Sequence, residues 1–155
     1  MTHNSRGFSF VELMVSIGII SLLAVIASYS FGDNLKNKEL ITITDDIVAT
    51  LELARSNAVT GKGSTAYGVK FNSDSYIGFV GSSYISSNQS NDVNTISSKY
   101  AISNNIPGAD DKIVFSKVKG ESNHSSSVTV TISEVGGSRQ KQVIIGTLGD
   151  VTVVQ

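Results

Sequence analysis

The sequence predicts an α+β fold: a long N-terminal helix, membrane-spanning in its first half and amphipathic in its second, packed on an antiparallel β-sheet head. Three observations carry this prediction. Residues 13–27 hold no charge and are mostly Leu, Ile, Val, Met and Ala. Leu40, Ile43, Ile47, Leu51, Ala54 and Ala58 then follow one another at steps of three or four, which places them on one helix face. From Tyr67 onward short runs alternate apolar with polar residues and are separated by Gly, Asn, Asp and Ser, the period of half-buried strands. In chain order the expected segments are a short leader over 1–7, an apolar helix over 8–31, an amphipathic helix over 32–62 and the head over 63–155.

The composition narrows the chemistry. The 155 residues include no Cys, no Trp and one Pro. Without cysteine there are no disulfides, no thiolate catalysis and no Cys-based zinc sites. The net charge is −1, which argues against wholesale binding of a polyanion. Charged residues make up 16% of the chain, against roughly 25% in ordinary soluble domains. Ser, Thr, Asn and Gly fill the difference, a surface suited to packing against neighbours outside the cytoplasm.

Residues 8–31 approach the roughly 20 apolar residues that a spanning helix needs. The run is apolar all round, so it is not one face of a soluble domain. Arg6 precedes it and holds the N-terminus on the cytoplasmic side. Glu12 is the anomaly, because a carboxylate deep in a bilayer costs about 2.5–3.5 kcal/mol. It needs a partner, a shallow depth or a proton.

The word Gly7-Phe8-Ser9-Phe10-Val11-Glu12-Leu13 resembles the signature of type IV prepilins: a short basic leader ending in Gly, then Phe, then Glu five residues past the cut. The resemblance implies that a prepilin peptidase cleaves after Gly7 and methylates the new N-terminus at Phe8. It implies that Glu12 serves assembly, its charge neutralised by the Phe8 ammonium of a neighbouring subunit in an apolar filament core, where an opposed pair is strongly attractive. The implied partners are other pilin or pseudopilin subunits through the N-terminal helix, the peptidase and an inner-membrane assembly platform. The head is then extracytoplasmic. Two other readings of the segment stay open: an ordinary secretory signal peptide cut after Val25-Ile26-Ala27, and a plain single-span anchor with Glu12 near the headgroups. Neither gives Glu12 or the preceding Gly7-Phe8 a purpose. Many pilins carry a helix-bending Pro late in this segment; here Ala27-Ser28-Tyr29-Ser30 has none.

The second half of the helix is expected to be broken or loosened near Gly32-Asp33-Asn34 and to stop at Gly61 and Gly63. Tyr67, Val69 and Phe71 form a first strand, Asn72-Ser73-Asp74 a turn, and Tyr76, Ile77, Phe79 and Val80 the return. A weaker alternation over 112–118 predicts another strand. Val128, Val130 and Ile132 form the next, Gly136-Gly137 signals a hairpin, residues 142–146 return, and 151–154 close the sheet. Residues 81–111 are Ser/Asn-rich with little periodicity and are expected to be a long loop.

The helix end Leu51-Glu52-Leu53-Ala54-Arg55-Ser56-Asn57-Ala58-Val59, followed by the strand from Tyr67, resembles the GspH/FimT branch of minor pilins and pseudopilins. The stretch from Val143 to Val153 resembles that branch's closing hairpin. Together these imply a structural subunit of a type IV pilus or a type II secretion pseudopilus, with no catalytic residue, no cofactor and no metal. Arg55 itself is expected to tie the helix end to the sheet, where a cation also suits the dipole.

Other candidate chemistry is weak. His3 and His124 are the two histidines; the first lies in the leader and the second in a Ser/Asn turn, where it reads as solvated. The adjacent acids Asp110-Asp111 and Asp45-Asp46 lack the alternate-ligand spacing of a calcium loop; some pilin relatives bind calcium in the head, and Asp110, Asp111 and Asp150 are the residues that this resemblance would involve. Gly61-Lys62-Gly63-Ser64 lacks P-loop spacing and precedes a strand. Some FimT-like minor pilins are associated with DNA uptake through basic residues. The candidates here are Lys117 and Lys119 on one strand face, and Arg139 and Lys141 on another, although residues 150–155 hold no basic residue.

Overall fold

A computed structural model of the chain describes residues 8–108 and 111–154, with side chains at all of these except 27–33. The elements run in the order α1 (Phe10–Val59), a 3-10 turn (Lys62–Ser64), β1 (Tyr67–Phe71), β2 (Ser75–Val80), β3 (Asp92–Thr95), β4 (Tyr100–Asn104), β5 (Lys112–Phe115), β6 (Val128–Glu134), β7 (Gln140–Ile145) and β8 (Val151–Val154). The chain divides into two compact units, Met1–Lys38 and Glu39–Gln155.

Within the first unit the helix over 13–26 is apolar on every side. Val11, Leu13, Met14, Val15, Ile17, Ile19, Ile20, Leu22 and Leu23 are all exposed, and successive helical positions point about 100° apart, so no face is left polar. Two serines interrupt the run without demanding solvent. Ser16 Oγ donates to the Glu12 carbonyl at 2.7 Å and Ser21 Oγ to the Ile17 carbonyl at 2.8 Å. Helix assignment continues through Gly32-Asp33-Asn34, where the sequence predicts a break. A helical glycine costs only about 1 kcal/mol, and no proline there removes a donor.

In the second unit the expected stripe is the buried one. Leu40, Ile47, Leu51, Ala54 and Ala58 are buried, and Ile43 and Val48 pack beside them. Thr44 lies among them with its hydroxyl satisfied by the Leu40 carbonyl at 2.8 Å. The helix ends at Val59, and Gly61 takes φ 69°, a left-handed turn open to glycine.

The head is two antiparallel four-stranded sheets, ordered β3-β2-β1-β5 and β4-β6-β7-β8, and not one. Both contribute to a single core with the helix stripe: Val69 and Phe71 from β1, Ile113 and Phe115 from β5, Val128, Val130 and Ile132 from β6, and Val143 and Ile145 from β7. Fully burying each such side chain contributes about 1.5–3 kcal/mol.

The segment 81–111 corrects the sequence expectation, because it contains β3 and β4. Tyr100 and Ile102 of β4 are buried in the core. Their alternation is short and hemmed by Ser and Asn. Strand β3 is exposed at three of its four positions, so it has no apolar face for a pattern to reveal. A second correction concerns 112–118. Strand β5 stops at Phe115, and Val118 adopts φ 71° within a turn, which a strand does not allow.

Candidate functional site

Gly7 lies outside the described residues. Phe8 is exposed, and Glu12 occupies the first turn of α1, where the positive end of the helix dipole favours a carboxylate. Among the described residues Glu12 has no cationic partner. Among the described residues no helix is long and apolar enough to cross a membrane; the span expected over 8–31 extends past Ile26 into positions whose side chains lie outside the description.

In the head, the end of α1 is held by a cluster that the sequence only hinted at. Arg55 Nη2 donates to the Leu148 carbonyl at 3.0 Å, and its Nε reaches the Gly120 carbonyl at 3.4 Å. The Val118 N–H donates to the Ala58 carbonyl at 3.0 Å, satisfying an acceptor that the last helical turn leaves orphaned. Arg55 thus joins the helix to two loops, one after β5 and one before β8. Its partners are loop carbonyls, not the helix's own end, so geometry more than the dipole explains the residue.

Lys117 and Lys119 do not share a strand face. They belong to the turn after β5, closed by the Gly120 N–H donating to the Ser116 carbonyl at 2.8 Å. Lys119 Nζ lies 3.9 Å from Glu121. Arg139 sits at the opposite end of β7, in the β6–β7 hairpin, and pairs with Glu134 at 3.0 Å. Lys141 pairs in register with Ile132 and alternates onto the same side as the buried Val143 and Ile145. The two basic pairs therefore belong to different sheets, one after β5 and one at the start of β7, with the charges of Arg139 and Lys119 already met by carboxylates.

His124 is not merely solvated. Its Nε2 lies 3.0 Å from the Lys112 carbonyl, and beside it Asn123 Oδ1 accepts from the Val114 N–H at 2.7 Å while the Asn123 N–H donates to the Val114 carbonyl at 2.9 Å. Residues 122–124 thus cover the outer edge of β5. No periodic pattern signals such a cap, since it is made by a loop. Asp110 lies outside the described residues, Asp111 precedes β5 and Asp150 lies in the β7–β8 turn. Among the described residues no three metal-ligating side chains cluster.

The fold changes the acidity of Tyr76. Burial raises its pKa above the ordinary value, and the negative charges of Asp46 and Asp92 add to the rise; a hydrogen bond with Thr50 opposes them.

Comparison with known proteins follows the same division of the chain. The prokaryotic N-terminal methylation motif matches residues 2–28. The family described as Type II transport protein GspH matches residues 44–149. Among solved structures, the minor pseudopilin EpsH from the type 2 secretion system of Vibrio cholerae is similar with a TM-score of 0.55 at 14% identity, over 75% of this chain and 96% of that one. At that identity the likeness concerns the fold: a helix on antiparallel sheets. Comparison with curated proteins finds no match. The GspH match takes in most of the buried half of α1, Arg55 and every strand from β1 to β7, and on that match the chain belongs to the Type II transport protein GspH family.

Proposed function

We propose that this chain is a minor pseudopilin-type subunit of a type II secretion pseudopilus or a type IV pilus, membrane-anchored before assembly and built into the filament through its N-terminal helix. The observation that carries the reading is the first unit of α1. It exposes apolar side chains on every face and places one carboxylate, Glu12, in its first turn. A surface like that is stable only in lipid or among like helices. Cleavage after Gly7 and methylation of Phe8 supply the missing cation: the freed ammonium of one subunit neutralises Glu12 of the next, and a buried charge left alone is strongly unfavourable. The head then stands outside the cytoplasm, and the peptidase and assembly platform are separate proteins.

N-terminal sequencing and mass measurement of the mature chain test the processing. The expected start is an N-methylated Phe8; a start at Ser28 identifies a secreted domain with a signal peptide and overturns the reading. Replacing Glu12→Ala tests the pairing. The head stays folded and incorporation into filaments is lost, whereas normal incorporation of this variant removes the role assigned to Glu12.

A further inference from the structure

Each sheet has two edge strands, and the chain treats them differently. At β5 the outward groups are taken by Asn123 and His124. At β4 the outward N–H groups of Tyr100 and Ile102 donate to the Ser97 and Ser73 carbonyls, both at 2.9 Å. Strand β3 carries a carboxylate, Asp92, in the run Asp92-Val93-Asn94-Thr95, and charge is a common guard on an open edge. Strand β8 has no such guard. It reads Val151-Thr152-Val153-Val154, with neither charge nor proline.

The register shows which groups β8 offers. The Gly146 N–H donates to the Asp150 carbonyl at 2.9 Å, which sets the phase of the ladder. Alternation along it makes Ile144–Thr152 and Gln142–Val154 the hydrogen-bonded pairs. Val151 and Val153 therefore turn their N–H and C=O groups away from β7. Among the described residues no hydrogen bond reaches them. Their side chains lie on the core side, opposite Ile145 and Val143. Val143 is 0% exposed, yet Val153, its partner across the ladder, is 41% exposed. The apolar floor of the sheet continues to the edge and is left uncovered there.

We infer that the β8 edge receives an extended, uncharged segment of a neighbouring, different pilin-type subunit, which adds a strand beside Val151 and Val153. This rests on the subunit reading above. Backbone pairing selects an extended chain, and the bare apolar strip beneath Val153 selects a segment apolar at alternate residues. The size of the contact selects the partner. A ladder on a four-residue strand falls far short of the roughly 1,200–2,000 Å² that a free-standing complex buries. It becomes effective when another attachment already holds the two chains together, because the second contact is then intramolecular. Packing of N-terminal helices supplies that attachment to fellow subunits and to no free soluble protein, and a minor subunit, being scarce, has other pilin-type chains as its neighbours.

Proline at 153 tests the edge selectively. It removes an outward donor and leaves the Ile144–Thr152 ladder bonds in place, a position that edge strands tolerate. Full-length Val153→Pro is compared with wild type in host cells that make the whole assembly, alongside a thermal melt of each protein. The expected result is an unchanged melting temperature with incorporation reduced about tenfold, the scale of one or two lost hydrogen bonds. Equal incorporation of a folded Val153→Pro overturns the inference; absence of wild type itself from filaments overturns the subunit reading instead. Because the chain has no cysteine, Val154→Cys gives a second and independent readout through a short thiol–amine cross-linker, with Val135→Cys in the β6–β7 hairpin as control. An adduct with another pilin-type subunit from 154 and not from 135 supports the inference even if the proline variant misfolds. No adduct, equal adducts from both positions, or an adduct with a second copy of this chain overturns it.

Discussion

Arg55 and Leu148, ninety-three residues apart, are joined by a hydrogen bond of 3.0 Å from the guanidinium to the backbone carbonyl. The contact closes the head. It fastens the last turns of α1 to the turn that feeds β8, while the same side chain reaches Gly120 on the loop after β5. Helix, first sheet and second sheet meet at this side chain.

Removal of that contact is expected to loosen the head without dismantling it. Arg55→Ala should cost about 1–2 kcal/mol, the scale of a charge-assisted hydrogen bond in a partly solvated place. Arg55→Lys should recover less than half, because an ammonium lacks the planar fork that meets two carbonyls at once. Urea denaturation of the full chain in detergent measures both; a stability equal to wild type in Arg55→Ala would show the contact to be idle.

Glycine substitutions separate backbone strain from crowding. Gly149 has φ +79°, and a Cβ there would lie 2.0 Å from the Gly120 carbonyl oxygen. Gly136 has φ +73° with nothing within 4 Å of the same position. Gly136→Ala should therefore cost only the left-handed strain, about 1 kcal/mol, and Gly149→Ala about 3 kcal/mol or more, because the loop must also move. Equal losses in thermal or chemical unfolding would contradict the close approach at Gly149.

The buried phenol of Tyr76 makes stability depend on alkaline pH. Its folded pKa lies above the unfolded value near 10, so the folded state holds this proton more tightly. The stabilising contribution is complete below pH 10 and is lost as pH rises from there through the raised pKa. Tyr76 should ionise above the ordinary phenol range by ultraviolet absorbance, and Tyr76→Phe should flatten the stability profile over that window. An unchanged profile in Tyr76→Phe would assign the alkaline loss to other groups.

Nucleic acid gives a further check. With Lys117 and Lys119 in one turn, and Arg139 and Lys141 at the other end of β7, no continuous basic surface forms from the four residues. Mobility-shift titration of the full chain with double-stranded DNA at low salt is expected to show no complex. A salt-sensitive complex abolished by Lys117→Ala with Lys119→Ala would reverse that expectation.

The buried stripe of α1 and strands β1 and β6 are legible because each has a period that the fold uses, and β2 and β8 because each is a largely apolar run that follows a turn. The same reading missed β3 and β4. One is exposed at three of its four positions and the other is too short for its Tyr100–Ile102 alternation to stand out among Ser and Asn. It also ran β5 three residues too far, since alternation at 117 and 118 does not reveal that Val118 turns left-handed. Strand parity groups Lys117 with Lys119, and parity holds only while the strand lasts.

Local pattern alone determined the apolar rod, the acid in its first turn, the amphipathic half that follows and the β character of the head, because hydrophobic period and chain stiffness act over a few residues at a time. Only tertiary structure decided that the strands divide into two sheets, that Arg55 finds Leu148 and Gly120, and that the β5 edge is capped while β8 stays open. Those outcomes depend on which distant segments compete for the same hydrogen bonds and the same core, a choice made in space and written in no single stretch of sequence.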